Sequence, residues 1–228
     1  MLIYIKGVMV MKTIKSNKSN LVIEIFNSIT HGVGAIMGIV FLVLMIIKYV
    51  GMTSTSQLTG FIIYGSSFIF LFLASCLYHG IFNIKVKNIL RIFDHSAIFL
   101  FIAGSYTPIV LRVLKGYTQL IFLILIWLIA IGGFIFKIVS YGKYDKYIRV
   151  SVFLYILMGW LSLMLIRPIV LNTNHMFLLL LVIGGILYTI GTFFYKKKLK
   201  AYNHLIWHIF VLAGAICHFI AIYKFLIN

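Results

Sequence analysis

The sequence predicts an all-α, polytopic membrane protein: a seven-transmembrane-helix bundle with its N-terminus cytoplasmic and its C-terminus extracytoplasmic. Three observations predict it. The chain is 63% hydrophobic and 10% charged over 228 residues, more apolar surface than a soluble domain of that length could bury. Apolar runs of about 20 residues, enough to cross the hydrocarbon of a bilayer as helices, recur along it. Lysine and arginine gather in alternate loops.

The runs fall at 26–49, 58–81, 92–113, 118–139, 149–170, 175–195 and 202–225. Within a bilayer each must be helical, because every backbone group has to pair inside its own segment. The joining loops are short, so residues 23–228 read as one membrane domain and residues 1–22 as a basic cytoplasmic tail. The opening MLIYIKGVMVM is apolar but short, and no small-residue cleavage site follows it, so it does not read as a signal peptide. Met11 would be a natural start, with the first ten residues as an extension. Gly34 and Gly38 form a GxxxG on span one and predict close helix contact. Pro108 and Pro168, near the outer ends of spans three and five, read as terminators or kinks.

Orientation comes from the twenty basic residues. One set of flanks holds Lys6, Lys12, Lys15, Lys18, then Lys85, Lys87 and Arg91, then Lys137, Lys143, Lys146 and Arg149, then Lys196, Lys197, Lys198 and Lys200. The opposite flanks hold only Lys48, Arg112, Lys115, Arg167 and Lys224. The bias repeats at every loop and places the first set in the cytoplasm. The net charge of +17 therefore belongs to membrane-flanking loops. No nucleic-acid motif competes, so the partners are membrane lipids, with a homo-oligomer left open. Cys76 and Cys217 lie in apolar runs without a CxxC and read as packing thiols.

Polar residues inside the spans are few. On span one Glu24, Asn27 and His31 share a face. Glu24 reads as a solvated carboxylate near Lys18, and the lone His31 as a packing or hydrogen-bonding residue before a ligand. Span two ends with Ser75 and His79, four apart on one face. Span three opens with Asp94, which must be paired, close to a metal, or protonated; a salt bridge to Arg91 is the plain alternative. His95 points about 100° away from Asp94; it could orient a neighbour but is not counted as a ligand. Span seven opens with His204 and His208, stacked on one helix face by their i, i+4 spacing. His175 falls in an outer loop, and His218 lies about 15 Å beyond His208, too far to share an ion.

His79, Asp94, His204 and His208 come from three helices, and the orientation places them all in the inner third of the membrane. Three imidazoles with an open position suit Zn²⁺. Asp94 could touch the ion directly or through its water, and Ser75 could bond that water or Asp94.

These residues resemble the haemolysin III family, the bacterial branch of the progestin and adipoQ receptor (PAQR) proteins. The resemblance rests on SxxxH (Ser75, His79), Asp94, the GSYTP turn (Gly104 to Pro108), HxxxH (His204, His208) and the opening ExxNxxTHGxG (Glu24, Asn27, Thr30, His31, Gly32, Gly34). It runs from about residue 20 to the end of the chain. It implies a multi-pass protein of a bacterial cell membrane, with zinc held by His79, His204 and His208 and with Asp94 and Ser75 close to the bound water. Because the adiponectin receptors and alkaline ceramidases share this architecture, it also implies hydrolysis of lipid amides or esters, with Asp94 and Ser75 as the catalytic pair. The alternative is a cytolytic protein, or a sensor in membrane-lipid homeostasis, in which zinc is structural. A proton path is disfavoured, because no polar row continues to the outer face.

Overall fold

The computed structural model describes the backbone of residues 2–196 and 202–227, and the side chains of residues 21–143, 146–195 and 202–227. The lysines at 197, 198 and 200 lie outside these described residues, as do the side chains of Lys6, Lys12, Lys15, Lys18 and Lys196. The described elements are all helical: α1 (Leu2–Tyr49), α2 (Thr55–Gly80), α3 (Ile84–Val113), α4 (Gly116–Val139), α5 (Tyr144–Trp160), a 3₁₀ turn (Leu161–Leu165), α6 (Ile166–Asn172), α7 (His175–Lys196) and α8 (Tyr202–Phe225). Seven stretches are long and apolar enough to span a bilayer: Leu21–Tyr49, Thr55–Gly80, Ile84–Val113, Gly116–Val139, Lys146–Asn172, His175–Tyr195 and Tyr202–Phe225. Each coincides with one of the seven runs. His175 is exposed at the first residue of α7, as a loop-flanking histidine should be.

Helices end where local chemistry stops them. Ser54 caps α2 by accepting a hydrogen bond from the Gln57 amide at 3.2 Å. Asn83 caps α3 by accepting from the amides of Lys85 and Val86 at 3.1 and 3.3 Å.

Consecutive helices pack side by side, α1 along α2, α2 along α3 and α7 along α8, and α1 closes against α8. The glycines of the GxxxG face α2, and a Cβ on Gly38 would stand 2.7 Å from Cδ1 of Phe68. Gly184 and Gly214 bring α7 and α8 together; a Cβ on either would lie 3.1 Å from the other's carbonyl oxygen. The outward faces are apolar, with Ile36 and Ile47 exposed by 64% and 69%. Hydrocarbon tolerates such a surface and water does not.

α3 is the most deeply buried span. Three consecutive residues fasten it to three neighbours. The Tyr106 hydroxyl donates to the Gly159 carbonyl of α5 at 2.7 Å and lies 3.0 Å from that of Met158. Thr107 Oγ1 accepts from Nε1 of Trp127 on α4 at 3.1 Å. The carbonyl of Pro108 accepts from Gln57 of α2 at 3.0 Å. Pro108 does not end the helix, which runs on to Val113.

The fifth span is broken. Its 3₁₀ turn includes Met164, whose carbonyl would clash with the ring of Pro168 four residues on, and Pro168 has no N–H to offer it. A change from i→i+4 to i→i+3 bonding leaves a carbonyl without a helical donor. The Gly159 carbonyl, just ahead of the 3₁₀ turn, accepts from the Tyr106 hydroxyl and from Ser162 Oγ at 3.2 Å. The sequence placed the disturbance at Pro168; the 3₁₀ turn lies just before it, at Leu161–Leu165.

Candidate metal centre

His79 sits in the last turn of α2, and His204 and His208 open α8. The i, i+4 spacing aims both α8 rings at one point, and the packing of α8 against α1 brings them over the end of α2. His204 Nε2 lies 3.2 Å from His79 Nε2 and 3.1 Å from His208 Nε2. One ligand atom from each of the three lies within 4.8 Å of the others. His79 and His208 are buried, with 2% exposure each, and His204 is partly buried.

The set fits a metal ion. Tetrahedral coordination at 2.0–2.1 Å from imidazole nitrogen would space the nitrogens by about 3.3–3.4 Å. The outer nitrogens fix the tautomers. His208 Nδ1 lies 3.3 Å from the carbonyl oxygen of Asn27, which can only accept, so Nδ1 carries the proton. His79 Nδ1 faces Glu24 Oε1 at 3.3 Å in the same sense. In the neutral rings both Nε2 atoms are then bare lone pairs pointing at His204, which has a single Nε2 proton at most. Hydrogen bonds within the triad cannot satisfy all three nitrogens, and a cation can.

Asp94 is not a member of this triad. It lines the same cavity as His204 and His208, with Oδ2 3.6 Å from His95 Nδ1. His95 therefore turns toward the carboxylate and also donates from Nδ1 to the Arg91 carbonyl at 2.7 Å. His95 is thus a neighbour of Asp94 and outside the triad: adjacent residues diverge at Cβ, but a long ring can fold back along the helix. Ser75 Oγ is buried, lines the same cavity as Asp94, and has no hydrogen-bond partner among the described residues.

Glu24 requires a correction. It is a half-buried carboxylate that accepts from Lys87 and holds His79, not a solvated group near Lys18. His31 stacks flat on His208, with ring centroids 3.6 Å apart and planes at 13°. The packing expectation for His31 holds, although its neighbour is a candidate ligand. The signal for these three residues was present as a polar face on span one. What the sequence lacked was the knowledge that this face meets the triad.

A cavity opens beside His204 and His208 of the triad. His31, Ser75, Asp94 and His204 line one end, and mostly aliphatic and aromatic side chains line the rest, with the hydroxyls of Ser105, Ser162, Thr189 and Thr192 among them. On α3 it is bordered from Asp94 to Ile109 and on α8 from His204 to His218, about 21–22 Å by helical rise. His218 forms part of its wall and donates to the Leu181 carbonyl at 3.1 Å. The broken part of span five, at Ser162, Leu163 and Ile166, borders it too.

A family model described as "Haemolysin-III related" matches residues 19–219. The chain belongs to the haemolysin III-related family. It is 41% identical over 199 residues to "Hemolysin-3 homolog" of Bacillus subtilis (strain 168), covering 87% of this chain and 92% of that protein. It is 44% identical over 200 residues to "Hemolysin-3" of Bacillus cereus, covering 87% and 90%. It is 34% identical over 171 residues to "Monocyte to macrophage differentiation factor" of Homo sapiens, covering 72% and 69%, a match that accords with the wider PAQR superfamily. Seven apolar helices and the bacterial relatives make this haemolysin III-related chain a multi-pass bacterial membrane protein. All of its triad residues lie within the matched segment.

Proposed function

We propose that this protein is a zinc-dependent membrane hydrolase acting on lipid amides or esters. The observation that carries it is the position of the histidine triad at one end of a long apolar cavity, with Asp94 outside the ligand set but lining the same space. Three protein ligands leave a position for water or substrate, which is the pattern of catalytic rather than structural zinc. The rest of the cavity suits an acyl chain, whose carbonyl would then reach the triad. The N-terminus is cytoplasmic in this reading, because the basic flanks share the triad's end of the bundle; substrate would enter from the inner leaflet.

Bound zinc would supply a Lewis acid and a water with its pKa lowered toward ~7. His79, His204 and His208 would hold it through Nε2. The Asp94 carboxylate accepts a proton from the attacking water and returns it to the departing amine or alcohol. The Ser75 hydroxyl, which bonds to no described side chain, donates to the water or to the developing oxyanion. The apolar wall excludes bulk water.

The printed name of the Bacillus cereus relative favours a second reading, a cytolysin in which zinc only pins α2 to α8. One experiment separates the two. Purified protein is incubated with ceramide and other acyl amides, and in parallel with erythrocytes, beside a His208→Ala variant. Hydrolysis that requires His208 supports the enzyme. Lysis that persists in the variant, with no zinc-dependent turnover in the parent, contradicts it.

A further inference from the structure

Span one gives the triad no ligand, yet it touches two of the three. Glu24 Oε1 meets Nδ1 of His79 at 3.3 Å, the Asn27 carbonyl meets Nδ1 of His208 at 3.3 Å, and the ring of His31 stacks on His208. The other Glu24 oxygen accepts from Lys87 at the start of α3. Glu24 is thus held between α2 and α3 while it faces the site. Among the described acidic side chains, Glu24 is the one hydrogen-bonded to a triad histidine.

We propose that Glu24 is the positioning residue of the metal centre, and that α1 is its outer shell. This rests on the metal reading given above. An imidazole alone can carry its proton on either nitrogen and can turn about its last side-chain bond. If the proton sits on Nε2, His79 offers no lone pair to an ion. A carboxylate at Nδ1 removes that choice, orients the ring, and makes Nε2 more electron-rich. The Asn27 carbonyl does the same for His208, with less charge. The stacked His31 keeps the His208 ring from rotating. Lys87 has the lesser task of keeping Glu24 in place.

The two possible roles of Glu24 predict different patterns. If it only ties α1 to α3 through Lys87, then Glu24→Gln and Lys87→Met break the same tie and should act alike. If it sets the tautomer of His79, Glu24→Gln should act alone, because an amide can present its N–H₂ to Nδ1 and drive the proton to Nε2.

The test is zinc affinity of the full-length protein in detergent, measured by competition with a chelating dye. No substrate is needed. Glu24→Gln is expected to weaken zinc binding by about 10–100-fold, the range for removing such a partner. Lys87→Met is expected to stay within about threefold of the parent, and Glu24→Asp, which draws the carboxylate back by one methylene, to fall between them. Glu24→Asp serves as the decisive variant if Glu24→Gln does not fold. An unchanged affinity in the Glu24 variants, with zinc binding intact in the parent, overturns the proposal and leaves the triad standing. Equal losses in Glu24→Gln and Lys87→Met also overturn it. Absence of zinc binding in the parent overturns the metal reading itself.

Discussion

At the scale of single residues, the proposed chemistry divides between groups that bind and a group that moves a proton. The three imidazoles form a closed set, and Asp94 lies outside it while bordering the same cavity. Asp94→Asn keeps the shape and loses the proton acceptor. It is expected to retain zinc and lower kcat by about 10²–10⁴-fold, which metal analysis and single-turnover hydrolysis together would check. Loss of zinc in that variant would make Asp94 a ligand instead. His79, His204, His208 and Asp94 were legible because ionisable side chains are rare in apolar spans and so stand out. Glu24 was not, because a carboxylate at a span boundary is usually solvated and only the packing of α1 on α2 brings it to His79. The approach of His95 to Asp94 could not be read from helix angle, which fixes where a Cβ starts, not where a ring ends.

At the scale of elements, the seven spans were readable from length and hydropathy, since hydrocarbon allows few alternatives to a helix. The internal break of span five was not. Pro168 marked it, but the 3₁₀ turn falls at Leu161–Leu165 and depends on Tyr106 of another helix to meet the carbonyls of Met158 and Gly159. The GSYTP segment is not a turn but lies within α3, and it has a packing role that spacing alone could not reveal: it ties α3 to α2, α4 and α5 in succession. Tyr106→Phe removes only the hydroxyl and leaves the Gly159 carbonyl with the longer Ser162 bond alone from a side chain. It is expected to cost about 1 kcal/mol, seen as a lower thermal midpoint in detergent, with zinc content unchanged. An unaltered midpoint would mean that the broken span needs no such fastening.

At the scale of the whole molecule, the proposed orientation puts the triad at the cytoplasmic end of the bundle, with the cavity above it as the proposed acyl site. A reporter enzyme that works only after export, fused behind Asn228, is expected to be active, and the same reporter fused ahead of Met1 inactive; the reverse pattern would invert the bundle and its lipid leaflet. Everything chemical depends on whether α2 and α8 meet at an ion. The most direct measurement is the metal content of the purified protein beside a His79→Ala, His204→Ala double variant that retains its helical fold. Near-stoichiometric zinc in the parent and its loss in the double variant is the predicted result; a zinc-free parent, or equal zinc in both, would contradict it.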